Sequence, residues 1–95
     1  MDPLVDKVSI VTGASRGIGK AVSLCLARSG SRVALAARSK AELEAVQEEI
    51  RAQGGEAIVV PTDLAGDGAA EYLVGETLSE WGTIDVLINN AGWGK

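Results

Sequence analysis

Four short runs of apolar residues recur along the chain, and each of them predicts a β-strand. The runs are continuous rather than alternating, which is typical of parallel strands that are covered on both faces. The predicted strands cover residues 8–11, 32–37, 57–60 and 85–89, and Pro61 closes the third.

Amphipathic stretches between these runs predict three helices. The first covers residues 17–28, and its regularly spaced apolar side chains are expected to be buried. The only cysteine of the chain belongs to this set, and we interpret it as a buried core thiol. The expected buried residues of this helix are Ile18, Ala21, Val22, Cys25 and Leu26.

The second and third helices carry apolar stripes at helical spacing. The second begins with a capping box formed by Ser39 and Glu42 and ends near Gly54–Gly55. The third covers residues 67–81. The stripes are Leu43, Val46 and Ile50 on the second helix, and Leu73, Val74, Thr77, Leu78 and Trp81 on the third.

The alternation of strands and helices predicts an α/β fold with a parallel sheet and helices on both faces. Because the crossover between parallel strands is right-handed, a chain that returns to place the fourth strand beside the first gives the order 3-2-1-4. Ligands of such sheets bind at the carboxyl ends of the strands, where the strand order reverses. Residues 13–19 and 89–92 are expected to meet there.

A glycine-rich turn joins the first strand to the first helix. Gly13, Gly17 and Gly19 would let the backbone turn sharply, approach a phosphate and pack closely against the strand, while the helix N-terminus attracts an anion. A Walker P-loop would need glycine at Ala14 and serine or threonine at Ala21, and the G-x-G-x-x-G spacing is also absent. The alternative is a glycine-rich turn that holds no ligand.

Composition excludes several classes of function. The 95 residues are enough for one small domain, and a net charge of −4 disfavours partners such as nucleic acid or an anionic membrane surface. Without histidine, and with a single cysteine, the chain offers no Cys/His metal site, no internal disulfide and no His-based triad. The amino terminus lacks a signal-peptide pattern, and no apolar run reaches the ~20 residues of a membrane span, so we expect a cytoplasmic protein.

Three motifs, each at the end of a predicted strand, carry a family resemblance. Residues 12–19 match T-G-x-x-x-G-x-G, Asp63–Leu64 follow the third strand, and residues 89–92 read N-N-A-G. Together they resemble the short-chain dehydrogenase/reductase family, from Lys7 onward. The resemblance implies a partial Rossmann-like fold and the dinucleotide-binding part of an oxidoreductase acting on a small carbonyl or alcohol.

The resemblance also implies roles for individual residues in binding the cofactor. The turn under the pyrophosphate would comprise Gly13, Gly17, Ile18 and Gly19, and Ser15 and Arg16 would face the adenosine ribose and its phosphate. The adenine would be held by Asp63 and Leu64. The ribose on the nicotinamide side would be lined by Asn90, Ala91 and Gly92. Asn89 would tie the fourth strand to its neighbours. Asp63 could instead begin a turn, and Asn89–Asn90 could cap a helix.

The end of the second strand favours NADP(H) over NAD(H). Binders of NAD carry an acidic residue there, which contacts the ribose 2′-hydroxyl, whereas this chain has Ala37 followed by Arg38. The next acid, Glu42, already belongs to the second helix. Arg16 and Arg38 would bracket a 2′-phosphate from two loops. The alternative is that Arg38 is a solvated loop charge.

We expect no catalytic residue in this chain, because the family's serine, tyrosine and lysine lie beyond N-N-A-G. The only tyrosine, Tyr72, has Glu76 where the family's Tyr-x-x-x-Lys spacing needs lysine. Residues 1–95 are therefore expected to form a single N-terminal portion of an NADP-binding domain. The alternative is a short non-catalytic dinucleotide-binding or regulatory module. The fourth strand would be an unprotected edge, so we expect apolar surface on the first and fourth strands to stay open and the chain to self-associate.

Overall fold

The computed structural model describes residues 4–90 and contains the predicted four strands and three helices. The strands are β1 (Val8–Thr12), β2 (Arg32–Ala37), β3 (Ala57–Pro61) and β4 (Val86–Asn89), and the helices are α1 (Gly17–Arg28), α2 (Lys40–Ala52) and α3 (Ala69–Trp81). Within residues 4–90, no helix combines the length and the hydropathy needed to cross a bilayer.

The four strands form one parallel sheet in the order β3-β2-β1-β4, which confirms the predicted topology. Thr12, the last residue of β1, pairs with Ala36 of β2 on one side and with Asn89 of β4 on the other. This register aligns the carboxyl ends of the three strands at one edge of the sheet.

Two apolar clusters lie on opposite faces of the sheet, as the predicted helix arrangement requires. Successive strand residues point to opposite faces, so Val11 joins the cluster beneath α1 and α2 while Ile10 joins the cluster beneath α3. The predicted stripe of α2 is buried. On α3, Leu73 and Thr77 are buried and Trp81 packs half-buried against the cluster beneath the helix, whereas the other two residues of the predicted stripe, Val74 and Leu78, are exposed.

The predicted buried face of α1 is wrong for Ile18, Ala21 and Cys25, whereas Val22 is half-buried and Leu26 packs half-buried against the cluster beneath the helix. The residues of α1 that the structure buries are Gly19, Ser23 and Ala27, whereas Ile18 is 73% exposed and Cys25 is exposed rather than a core thiol. Small residues four apart let the helix approach the sheet closely. Ser23 tolerates burial because its hydroxyl donates to the Gly19 carbonyl at 2.8 Å.

The third helix and the face that it covers also differ from expectation. The helix begins at Ala69 rather than at residue 67, because Gly68 has a left-handed backbone, with φ of 76°. Ile10 of β1 is only 2% exposed, so the expectation that the first strand stays open is wrong. Leu87 of β4 is 62% exposed, and the fourth strand does leave apolar surface open.

Candidate functional site

A cavity of about 880 Å³ opens at the carboxyl edge of the sheet. The segments that follow β1, β2 and β3 all contribute to its wall, and the last residue of β4, Asn89, completes it. Its wall also includes buried apolar side chains such as Ile10 and Leu73. Of the predicted site residues, the cavity is lined by Gly13, Ser15, Arg16, Arg38, Asp63 and Leu64.

The glycine turn beneath this cavity is constrained by close packing. Gly13 and Gly17 have φ of 63° and 60°, in the left-handed region that favours glycine. A Cβ on Gly19 would overlap the carbonyl oxygen of Gly13 and lie 2.8 Å from Nδ2 of Asn90. The turn therefore requires glycine at Gly19 for packing and at the other two positions for backbone conformation.

The N-terminus of α1 is open to an anion. Arg16 precedes the helix in an extended conformation, no side chain of residues 4–90 caps the helix, and its first turn contains no acid. The first N–H groups of a helix lack carbonyl partners within it, and the helix dipole makes this end positive. At α2, by contrast, the hydroxyl of Ser39 accepts the N–H of Glu42 at 3.2 Å.

Two arginines from different loops contribute positive charge to the cavity. Arg16 and Arg38 are both exposed, and within residues 4–90 neither forms an ion pair. Arg32, at the opposite end of β2, instead contacts both Asp6 and Glu56. The turn that carries Arg16 is anchored to β2, because the N–H of Ala14 donates to the carbonyl of Ala36 at 3.1 Å.

Glu42 also lines the cavity, and sequence reasoning missed it. The sequence pattern assigns this acid to a helix rather than to the loop after β2, which gives it no place in the predicted site. The capping-box pattern contained the signal, since the glutamate of a capping box stands three residues after the cap and so remains at the helix start. Of the two capping-box bonds, the described residues show the one that Ser39 accepts.

Asp63 and Leu64 lie together in the loop after β3. Oδ1 of Asp63 accepts the N–H of Ala65 at 3.0 Å, so this residue does form the turn considered as an alternative. The same side chain is exposed and borders the cavity. Leu64 is half-buried against the cluster beneath α3.

The end of β4 is attached to the end of β1. Oδ1 of Asn89 accepts the hydroxyl of Thr12 at 3.0 Å, which links β4 to its neighbour as expected. Asn90 donates from its backbone N–H to the same hydroxyl at 2.9 Å and from Nδ2 to the Gly13 carbonyl at 3.4 Å. The predicted site residues Ala91 and Gly92 lie outside the described residues.

Comparison with known proteins identifies the family. A model of the short chain dehydrogenase family matches residues 7–95. The 3-oxoacyl-(acyl-carrier-protein) reductase of Synechocystis is 47% identical over 93 residues, which cover 97% of this chain and 38% of that protein. The 1,6-dihydroxycyclohexa-2,4-diene-1-carboxylate dehydrogenase of Acinetobacter baylyi is 50% identical over 86 residues, covering 90% of this chain and 33% of that enzyme.

Similarity to a solved structure supports the same family. The crystal structure of a metagenomic short-chain oxidoreductase in complex with NADP matches with a TM-score of 0.90 and 46% identity, covering 96% of this chain and 41% of that one. The chain thus spans 33% to 41% of the length of these three proteins. The parallel sheet, the glycine turn and the family match together show that this chain belongs to the short chain dehydrogenase family of oxidoreductases.

Proposed function

We propose that this chain is the NADP(H)-binding part of an oxidoreductase that transfers a hydride between NADP(H) and a small carbonyl or alcohol substrate. The observation that carries this proposal is the meeting, at one cavity, of the glycine turn, the N-terminus of α1 and two arginines, with neither a helix cap nor an ion pair for these groups among the described residues. The match to an oxidoreductase solved in complex with NADP supports it.

The pyrophosphate would lie over the glycine turn. Gly13, Gly17 and Gly19 leave the backbone without side chains there, and Ile18, which is 73% exposed, would border the bound cofactor. The N–H groups of the first turn of α1 would donate to the phosphate oxygens. These donors fit an anion, because no side chain in the described range accepts from them as a helix cap.

A 2′-phosphate would lie between Arg16 and Arg38. Guanidinium groups bind phosphate through bidentate, charge-assisted hydrogen bonds. The residue before Arg38 is Ala37, so no carboxylate at the end of β2 would hold a free 2′-hydroxyl or repel a phosphate. Ser15 borders the same cavity and would face the adenosine ribose.

The remaining site residues would hold the two ends of the cofactor. We propose that Asp63 accepts the adenine amino group and that Leu64 lies along the ring. Asn90, Ala91 and Gly92 would line the ribose on the nicotinamide side. Asn90 would contribute through its backbone while its side chain holds the Gly13 carbonyl in place.

The cofactor, when bound, supplies the hydride, and the residues of this chain bind and orient it. A carbonyl substrate also needs a proton donor for the developing alkoxide. Tyr72 is half-exposed on α3 and is not among the described residues that line the cavity. We therefore propose that residues 1–95 form the N-terminal portion of the cofactor domain and contribute cofactor binding rather than the proton donor.

Calorimetric titration of an arginine variant tests the proposal. Arg38→Ala should weaken NADPH binding at least about tenfold, because a charge-assisted hydrogen bond contributes about 1.5–3 kcal/mol, and should change NADH binding far less. Arg28→Ala removes the same charge from the last turn of α1, away from the cavity, and should leave both affinities unchanged. An equal loss for NADPH and NADH in Arg38→Ala would contradict the assignment of the 2′-phosphate site.

A further inference from the structure

A negative charge shares the cavity with the two arginines. Glu42 lies in the first turn of α2, is exposed, and lines the same cavity as Arg16 and Arg38. Its backbone N–H donates a hydrogen bond to the hydroxyl of Ser39. Its carboxylate forms no hydrogen bond or ion pair with any other residue in the range 4–90. Within the described part of the chain, this charge therefore has no ion-pair partner.

The other acids of α2 all have basic partners. Glu44 contacts Lys40 at 3.8 Å, Glu48 contacts Arg51 at 3.5 Å, and Glu49 contacts Lys20 of α1 at 2.9 Å. Those three carboxylates lie on parts of the helix that do not line the cavity. Glu42 thus differs from them both in lacking a cation and in its position at the site.

We propose that Glu42 is a specificity-determining residue that weakens binding of the 2′-phosphate. It thereby holds the preference for NADP(H) over NAD(H) below what Arg16 and Arg38 alone would give. This inference rests on the proposed function, because it takes the two arginines as the phosphate site.

The physical basis is repulsion through space. A phosphate monoester carries about −1.5 to −2 charges at neutral pH, and charges within about 10 Å of each other interact at 0.1 M salt before screening removes most of the effect. NAD(H) has a neutral 2′-hydroxyl in place of the phosphate, so the carboxylate weakens the binding of NAD(H) much less. The backbone contacts of the pyrophosphate are common to both cofactors and do not alter the ratio of the two affinities.

Dissociation constants of Glu42→Gln for NADPH and NADH, measured by calorimetry, test the inference. Removing one unit of negative charge from the wall of the cavity should tighten NADPH binding about threefold at low salt, as for charges about 10 Å apart in water, and leave NADH binding unchanged. The gain should shrink as the salt concentration rises toward 1 M, where the screening length falls to about 3 Å. If Glu42 only helped to cap α2, the substitution would change the affinities for NADPH and NADH equally, and the change would not depend on salt in this way.

Two further variants separate charge from other effects. Glu42→Asp keeps the carboxylate and should retain the wild-type ratio of the two affinities, whereas Glu48→Gln removes an equal charge away from the cavity and should change neither. An unchanged or weaker affinity of Glu42→Gln for NADPH, in a protein whose wild type prefers NADPH, would overturn this inference alone. A wild type that binds NADH as tightly as NADPH would overturn the proposed phosphate site, and this inference with it.

Discussion

The hydroxyl of Thr12, at the end of β1, accepts the backbone N–H of Asn90 at 2.9 Å. The same hydroxyl donates to Oδ1 of Asn89 at 3.0 Å, and Thr12 is only 4% exposed. One buried side chain therefore joins the carboxyl ends of the two strands between which the strand order reverses. Because Asn90 also contacts the Gly13 carbonyl, the Thr12 hydroxyl helps to fix the glycine turn.

Removing this hydroxyl should destabilise the fold. Thr12→Val keeps the shape of the side chain but leaves the N–H of Asn90 and Oδ1 of Asn89 without this partner. We expect the free energy of unfolding to fall by about 1–3 kcal/mol, measured by urea denaturation. Thr12→Ser keeps the hydroxyl, so its free energy of unfolding should fall markedly less. Equal losses in the two variants would show that the methyl group, rather than the hydrogen bonds, determines the effect.

A pair of glycine variants tests the packing of the turn. Gly19→Ala places a Cβ against the Gly13 carbonyl, so backbone must shift, and we expect a loss of about 1–3 kcal/mol together with weaker dinucleotide binding. In Gly75→Ala, the added Cβ meets nothing within 4 Å inside α3. That variant should gain about 0.5–1 kcal/mol from helix propensity. Thermal unfolding of both variants, followed by circular dichroism, is the measurement, and a Gly19→Ala variant as stable as wild type would contradict the packing.

The two edge strands of the sheet, β3 and β4, differ in how well they are protected from pairing with a strand of another molecule. At β3, Nε2 of Gln47 donates to the Ala57 carbonyl at 2.8 Å, and the strand ends in Pro61, which has no N–H. Within residues 4–90, β4 pairs with β1 alone and carries the exposed Leu87. The edge at β4 is therefore the one expected to pair with a second copy of the chain.

A charge placed on β4 should suppress that association. We expect sedimentation velocity at micromolar concentration to show self-association of the wild-type chain and a shift toward monomer in Leu87→Lys. Ile18→Lys makes the same change at an exposed residue of α1, which packs on the opposite face, and should not shift the equilibrium. A monomeric wild type with strong amide protection across β4 would contradict the prediction.

The sequence predicted the sheet well because continuous apolar runs and right-handed crossovers leave few alternatives for an α/β chain. It failed on α1, where Gly19, Ser23 and Ala27 face the sheet, because hydropathy gives little weight to small residues that allow close approach. The sequence analysis also did not predict that Glu42 and Arg38 line the same cavity. The pattern of residues assigns one to a helix and the other to a loop, and only the structure shows that both elements border one cavity.

We expect the cavity to hold a dinucleotide with a 2′-phosphate, and a comparison of two cofactors on the wild-type protein measures this. NADPH and NADH differ only in that phosphate, so the ratio of their affinities measures the net effect of the cavity on it, with the attraction of Arg16 and Arg38 opposed by Glu42. Isothermal titration at low salt should give an NADPH dissociation constant at least about tenfold below that of NADH, the ratio expected from one charge-assisted contact. Equal affinities for the two nucleotides would show that the cavity holds no 2′-phosphate site.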